Sequence, residues 1–304
     1  MRDLSALASI PWAMEESRLQ NYWRQLPACL AKGVPNANEL QTLEAAASTK
    51  LKAVRGKVAV LPLVGVIEQR MSLMSFFFGG VSTEMVGAVI DEMLARKEID
   101  AIVLDVDSPG GSIAGVEELA DKLHQARAVK PIYSVSNSDM YSAAYWIGSS
   151  ATKTFVTNGG GVGSVGVYMM HVDYTQALQA DGIGVEFIRK PDQKADVNPY
   201  ESLTDSAREH MQAIVADGYD KFVSAVARNR GVNARVVREK FGNGRIVLAK
   251  QALAAGMVDG IKTRDQLLSE LQGAPQAPGS SRGRASAQVL RLRAEQRKRK
   301  AAGN

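Results

Sequence analysis

The serine of the segment 139–146 is the residue of this chain best placed by its neighbours to act as a nucleophile. Ser142 follows an apolar strand pattern at 131–135 and opens a run of small residues, which is typical of a strand that turns into a closely packed helix. A serine at such a turn projects its hydroxyl from a rigid element, as nucleophilic catalysis requires. A helix cap or a small packing residue is the simpler interpretation of this stretch alone.

Two glycine-containing stretches could complete a catalytic site with this serine. The segment 108–112 reads Ser-Pro-Gly-Gly-Ser after a buried strand pattern, and its glycines let backbone N–H groups turn toward one point, as in an oxyanion hole. A plain Pro-Gly turn before a helix is the alternative. The segment 159–167 reads Gly-Gly-Gly-Val-Gly-Ser-Val-Gly-Val. It lacks the Gly-Lys-Ser/Thr ending of a phosphate loop, which argues against nucleotide binding.

Taken together, these three stretches resemble the signal peptide peptidase A family of serine–lysine peptidases. The segment 193–200, Gln-Lys-Ala-Asp-Val-Asn-Pro-Tyr, resembles the phage branch of that family, to which head maturation proteases belong. The resemblance covers about residues 57–262 and implies an α/β protein of the Clp protease/crotonase-like fold, built from repeated βαβ units. One departure is that Ala143-Ala144 stands where the family commonly has Gly-Gly after the nucleophile.

The resemblance also implies a role for each site residue. Lys194 takes the position of the general base, with Lys190 as the second choice. Ser164 is expected to hydrogen-bond the lysine amine and orient it. The implied oxyanion hole consists of Gly110, Gly111 and Ala143.

A lysine works as a base only when desolvation lowers its pKa from about 10.4 toward neutrality. We therefore expect Lys194 to be buried between the helix after Ser142 and a strand at 163–167. The rival base is His171, which lies near the position of the triad histidine in a Clp-type protease, with Asp173 or Asp196 as its acid. We expect His124 and His210 to lie on helices away from the chemistry.

Composition limits the remaining classes of function. Cys29 is the only cysteine and the three histidines are scattered, so we expect no metal and no cofactor. No apolar run reaches the roughly 18 residues of a membrane span, and no signal pattern opens the chain. The segment 282–300 holds eight basic residues against one glutamate, which exceeds the net charge of +5, so the rest of the chain is slightly acidic.

The chain divides by composition into three parts: an N-terminal extension at 1–55, helical or flexible, a peptidase domain at 56–272, and a disordered basic tail at 273–304. Within the domain, strands are predicted at 58–66, 99–106, 131–135, 154–156 and 184–188. Helices are predicted after Ser82 or Thr83, through 116–123, after Ser142 and over 203–228. An apolar loop at 71–78 is expected to line a substrate cleft.

Together with the resemblance, these observations predict a cofactor-free serine endopeptidase that forms homo-oligomers. The resemblance to the phage branch implies cleavage of scaffold, portal or major capsid protein inside an assembling phage prohead in the host cytoplasm, and nucleic acid is expected to be contacted only through the basic tail. A peptidase of the bacterial cytoplasm and a catalytically idle capsid assembly protein are the alternatives. An acyl-CoA enzyme of the crotonase type has no need of the Ser142/Lys194 pair. The sequence leaves open whether the extension or the tail is removed by self-cleavage.

Overall fold

The computed structural model describes residues 10–273, so most of the predicted basic tail lies outside the described residues. The strands are β1 (Trp12–Met14), β2 (Ala53–Arg55), β3 (Val58–Val64), β4 (Val66–Glu68), β5 (Gly80–Ser82), β6 (Ala101–Ser108), β7 (Gly110–Ser112), β8 (Ile132–Tyr141), β9 (Lys153–Val156), β10 (Gly161–Gly163), β11 (Ile246–Leu248) and β12 (Gly260–Ile261). The helices are α1 (Glu16–Ala31), α2 (Ala37–Leu51), α3 (Leu73–Phe78), α4 (Thr83–Ala95), α5 (Val116–Ala126), α6 (Ala143–Ser149), α7 (Thr175–Ala180), α8 (Asp205–Arg230), α9 (Ala234–Lys240), α10 (Ala249–Ala255) and α11 (Arg264–Leu271).

The larger sheet has the order β11-β10-β8-β6-β3-β2, with β9 paired to β8 and β12 to β9. Its central strands β3, β6, β8 and β10 are parallel. Helix α4 lies in the connection from β3 to β6, and α5 in the connection from β6 to β8. Parallel neighbouring strands require such crossover connections. These repeated βαβ units confirm the predicted α/β fold class.

A smaller sheet has the order β1-β7-β4-β5. Strand β7 begins two residues after β6 ends, so the chain leaves the larger sheet at Pro109 and enters the smaller one at once. Strand β1 pairs with it antiparallel, with Ala13 opposite Gly111. The two sheets therefore meet at the Pro-Gly-Gly turn.

Helix α6 is buried along its whole length, which explains its run of small residues. Its Trp146 stacks on Phe222 of α8 with ring centroids 4.6 Å apart. The hydroxyl of Tyr145 donates to the carbonyl of Met257 at 2.8 Å. The element that follows Ser142 is thus fixed on several sides by the core.

The structure corrects three predictions. The segment 184–188 is not a strand, and two of its apolar side chains are exposed, Val185 by 43% and Ile188 by 97%. The segment 71–78 contains helix α3 instead of a loop, with Ser72 as its N-cap. Part of the segment 1–55 belongs to the smaller sheet through β1, whose residues are buried. The division into three domains stays a prediction.

Candidate active site

Ser142 links β8 to α6 in a backbone conformation that is rare for residues other than glycine. Its φ of 55° lies in the left-handed range, and such strained residues persist only where their surroundings hold them. Its N–H donates to the carbonyl of Gly163 at 2.7 Å, and its carbonyl accepts from Trp146 N–H at 2.9 Å. The side chain is 1% exposed. This sharp, clamped turn presents the hydroxyl in a fixed direction.

The Pro-Gly-Gly turn lies directly against this serine. A Cβ on Gly110, whose φ is +98°, would be 3.0 Å from Ser142 Cβ and 2.2 Å from the carbonyl oxygen of Ala13. A Cβ on Gly111 would be 1.7 Å from the carbonyl oxygen of Ile67. Both positions therefore require glycine, because three backbone segments approach one another closely here.

The two glycines contribute different groups to the site. Gly110 donates its N–H to Ser108 Oγ at 3.1 Å, and Ser108 Oγ in turn donates to the carbonyl of Gly65 at 2.6 Å. Gly110 therefore shapes the turn, and its N–H is already engaged. Ala143 is the first residue of α6, where an N–H has no acceptor within the helix. Gly111 and Ala143 are then the candidate oxyanion donors, and Gly111 N–H faces the carbonyl of Ala13 across the pairing of β7 with β1.

The third glycine stretch lies on the other side of the serine. Strand β10 pairs in parallel with the end of β8, so that Gly163 lies opposite Tyr141. The hydroxyl of Ser142 donates to the carbonyl of Gly166 over a long 3.5 Å. Ser164 also has a left-handed φ, of 53°, and its N–H donates to the carbonyl of Arg245 at 2.9 Å. The three stretches singled out in the sequence thus converge.

The structure does not bring Lys194 to this point. Lys194 is exposed, and within residues 10–273 its amine forms no hydrogen bond with Ser142. The expected burial beside α6 is therefore wrong for the single chain. The physical reason is that segment 181–200 forms turns without a strand, so nothing pairs it to the sheet. Lys190 is exposed as well, 3.9 Å from Asp192.

The rival base is not in place either. His171 is half-buried, and its Nε2 is buried without a hydrogen-bond partner among the described residues. Ser142 Oγ bonds to Gly166 instead. As predicted, His124 and His210 lie on helices, α5 and α8.

A buried polar network supports α6 from behind. Asn229 of α8 donates to Ser149 Oγ at 3.1 Å and to Ser150 Oγ at 2.9 Å, and its Oδ1 meets His124 Nδ1 at 2.8 Å. Desolvation is the main reason why the pKa of His124 is lowered, and the charge of Arg127 lowers it further. The neutral imidazole therefore belongs to this network.

Charged groups also flank the strand that leads to the serine. Asp139 of β8 pairs with Arg18 of α1, with 2.6 Å between Oδ2 and Nη2. Burial raises the pKa of the Tyr141 phenol, and the carboxylate of Asp139 raises it further. The Tyr141 phenol is therefore protonated near neutral pH.

Sequence reasoning missed strand β1, whose Ala13 lies beside the serine and the glycine turn. Its signal was the short apolar run 10–14 before the helix cap Glu15, which is too short for a periodic pattern. Within residues 10–273 no group of three or more His, Cys, Asp or Glu side chains could hold a metal ion. No helix in that same range is both long and apolar enough to cross a membrane.

The geometry is that of an α/β protein with a serine at a strained strand-to-helix turn and backbone N–H donors beside it. A model of peptidase family S49 matches residues 124–277, about half of the sequence. The chain therefore belongs to peptidase family S49.

Relatives are found among phage and bacterial proteins. The chain is 30% identical to capsid assembly protease C of Escherichia phage lambda over 206 residues. These residues make up 68% of this chain and 46% of that protein. It is 31% identical over 180 residues to the head-tail preconnector protein GP5 of Enterobacteria phage P21, covering 59% and 36%. A signal peptide peptidase SppA of Enterococcus faecium is 27% identical over 239 residues, covering 78% and 67%. The chain thus spans less than half the length of the two phage relatives.

Proposed function

We propose that the chain is a serine endopeptidase of phage head assembly, in which Ser142 is the nucleophile and Lys194 the general base. The observation that supports the proposal most directly is the left-handed Ser142, clamped between the glycine turn of β7 and the end of β10 in a member of family S49. Ser164, at the end of β10, is the group that would orient the lysine amine.

In this mechanism Ser142 Oγ attacks the substrate carbonyl while the lysine amine accepts its proton. The oxyanion accepts hydrogen bonds from the N–H groups of Gly111 and Ala143, and Gly110 holds the turn in shape. Loss of one such donor raises the barrier by on the order of 3 kcal/mol. The acyl-enzyme is then hydrolysed by water, and no cofactor is needed.

The amine of Lys194 has to be desolvated before it can act as a base. Segment 182–188, which precedes Lys194, exposes Ile183, Val185 and Ile188, by 51%, 43% and 97% respectively. Apolar side chains grouped in this way are typical of a surface that another molecule covers. We infer that the chain forms homo-oligomers in which this segment packs against protein and Lys194 is desolvated.

We propose scaffold, portal or major capsid protein as substrates, cleaved within the assembling prohead in the host cytoplasm. The names of the lambda and P21 relatives, a capsid assembly protease and a head-tail preconnector, support this assignment. Nucleic acid would be contacted only through the basic tail.

Two alternatives each have one observation in their favour. The relative from Enterococcus faecium covers more of this chain than the phage proteins do, which favours a bacterial peptidase of the SppA type. The exposure of Lys194 favours a catalytically idle assembly protein.

Labelling with a fluorophosphonate tests the proposed function. The purified protein should be modified at Ser142, as located by mass spectrometry, and should hydrolyse a peptide library. Ser142→Ala should lose both properties and more than about 10⁴-fold in rate. Ser138→Ala is the matched control, because Ser138 lies on the same strand, is exposed, and its hydroxyl donates to Asp107 Oδ1 at 2.5 Å. A wild type that is neither labelled nor active would favour the idle assembly protein.

A further inference from the structure

Strand β1 lies at the candidate active site with both of its edges hydrogen-bonded. On one edge it pairs antiparallel with β7, the strand of the glycine turn. On the other edge, Trp12 exchanges two hydrogen bonds with Tyr168, of 2.9 Å and 3.0 Å. Tyr168 follows shortly after Gly166, whose carbonyl accepts from Ser142. The strand therefore fills a slot between the two backbone segments that flank the serine.

The register of this pairing places one carbonyl at the oxyanion donor. Ile113 N–H donates to the carbonyl of Pro11, and Glu15 N–H donates to the carbonyl of Pro109. Antiparallel pairs alternate between hydrogen-bonded and non-hydrogen-bonded positions. Ala13 and Gly111, midway between those two bonds, therefore form a hydrogen-bonded pair, in which Gly111 N–H faces the carbonyl of Ala13.

The same carbonyl lies next to the nucleophile. The point where a Cβ of Gly110 would stand is 2.2 Å from the Ala13 oxygen and 3.0 Å from Ser142 Cβ. The peptide bond that follows this carbonyl joins Ala13 to Met14. This backbone bond thus lies close to the turn that carries Ser142 and beside the N–H of Gly111.

The side chains of β1 alternate between two environments. Ala13 is 0% exposed and belongs to the main core cluster, together with Ala143 and Ile67. Trp12 and Met14 point the other way, into an apolar cluster that includes Met74 of α3. An extended strand held by main-chain bonds, with alternate side chains in pockets, is the arrangement of a bound peptide in β-strand addition.

We propose that β1 is a bound substrate strand, and that the Ala13–Met14 bond is a self-cleavage site. The proposal rests on the proposed function, because it needs Ser142 as nucleophile. Its small pocket accepts alanine before the cut, and its apolar cluster accepts the residues on either side. With Lys194 in water, the chain holds this bond without cutting it.

The step balances with water as the only co-reactant. Ser142 Oγ forms an ester bond to the Ala13 carbonyl carbon, and the bond from that carbon to Met14 N breaks. The hydroxyl proton passes through the lysine amine to the departing Met14 amine. Water then hydrolyses the ester, which leaves a carboxylate on Ala13 and restores Ser142. The segment before Met14 is released.

Intact-mass measurement and N-terminal sequencing of the full purified chain test this inference. Wild type should accumulate a chain that begins at Met14, and Ser142→Ala should keep the bond intact. Ala13→Val should slow the cut at least about 10-fold, because its pocket is closed around a methyl group. Glu16→Gln, an exposed change close to the bond, should cut like wild type. Since Ala13→Val could disturb folding, a synthetic peptide of residues 9–17 should also be cut between alanine and methionine by wild type.

The outcomes separate this inference from the proposed function. If wild type hydrolyses other peptides through Ser142 but leaves both its own bond and the 9–17 peptide intact, β1 is a structural strand and the inference is wrong. A Ser142-dependent cut at a different bond overturns the assigned register. If no peptide is hydrolysed and no label enters Ser142, the proposed function itself fails.

Discussion

At the scale of single residues, the candidate dyad makes the sharpest prediction. Lys194→Ala and Lys194→Arg should both abolish peptide hydrolysis, because arginine stays protonated and cannot accept the serine proton. His171→Ala should retain most of the activity. Lys190→Ala is the matched control, since Lys190 is also exposed and lies four residues earlier. A steady-state assay of the four purified variants measures this, and an active Lys194→Ala beside a dead His171→Ala would reverse the assignment.

The pH profile separates the two bases independently. A lysine base must be neutral to act, so the rate should still rise above about pH 7 and persist in alkaline solution. A histidine base would give a rise near pH 6.5. Ser164→Ala should lower the rate less than Lys194→Ala, since it removes an orienting group and leaves the base.

His124 gives a prediction about stability. Its pKa is lowered in the folded chain, chiefly by desolvation. The unfolded chain, with an ordinary histidine pKa of about 6.5, then binds more protons between the two values. The free energy of unfolding therefore does not depend on the protonation of His124 above about pH 6.5. It decreases as the pH falls from there toward the folded pKa, because protonation favours the unfolded chain. Urea unfolding should show a smaller pH dependence for His124→Gln than for wild type. His210→Gln, at an exposed site, should behave like wild type.

At the scale of elements, helix α3 is expected to set the preference for substrate side chains. Glu68 anchors its start by accepting hydrogen bonds from Ser72 and Ser75. Phe77 and Phe78 pack against the cluster that holds Trp12 and Met14. The helix therefore forms the apolar wall against which the residues next to the scissile bond would lie.

Phe77→Ala should lower kcat/KM by about 10-fold for peptides with large apolar residues at those positions, through loss of about 1–2 kcal/mol of apolar contact. Peptides with small residues there should be affected less. Leu73→Ala is the control, because Leu73 lies on the same helix but is 37% exposed. Kinetics on paired peptides decide the matter, and an equal effect on both peptides would remove α3 from substrate recognition.

The same elements show what a sequence can predict. Strand β3 and helix α4 were predictable, because β-branched runs and a Ser82 cap are local signals. Strand β1 was not, because its three residues gain their pairing from β7, almost a hundred residues later. Segment 184–188 has the composition of a strand, but it pairs with no strand among residues 10–273. Composition indicates which secondary structure a segment favours. Whether a strand forms depends also on pairing with a partner strand that is distant in sequence.

The site divides in the same way. Ser142, Gly111 and Ser164 come shortly after the carboxyl ends of β8, β6 and β10. These are parallel strands of the larger sheet, so the convergence of the three residues could be expected from the topology. Lys194 belongs to a segment without such an anchor, and its position could not be predicted from strand order.

At the scale of the whole molecule, the charge is concentrated at one end of the sequence. Deletion of residues 273–304 should leave peptide hydrolysis unchanged, because β3, β6, β8 and the glycine turn all precede it. It should weaken binding to an acidic partner, and the loss should be greater at low salt, where charges are screened less. Binding measured at two salt concentrations tests this. Loss of hydrolysis in the truncated chain would show that the tail supports the fold.

Strand β1 belongs to the same chain as the slot that it fills, and this matters for any free peptide. Tethering gives such a strand an effective concentration on the order of millimolar, however dilute the protein. Dilution therefore cannot empty the slot. Once the Ala13–Met14 bond is cut, the strand becomes one more solute, and its rebinding falls with its bulk concentration. Because the hydrolysed peptide bond does not form again, the slot would then stay open to other peptides.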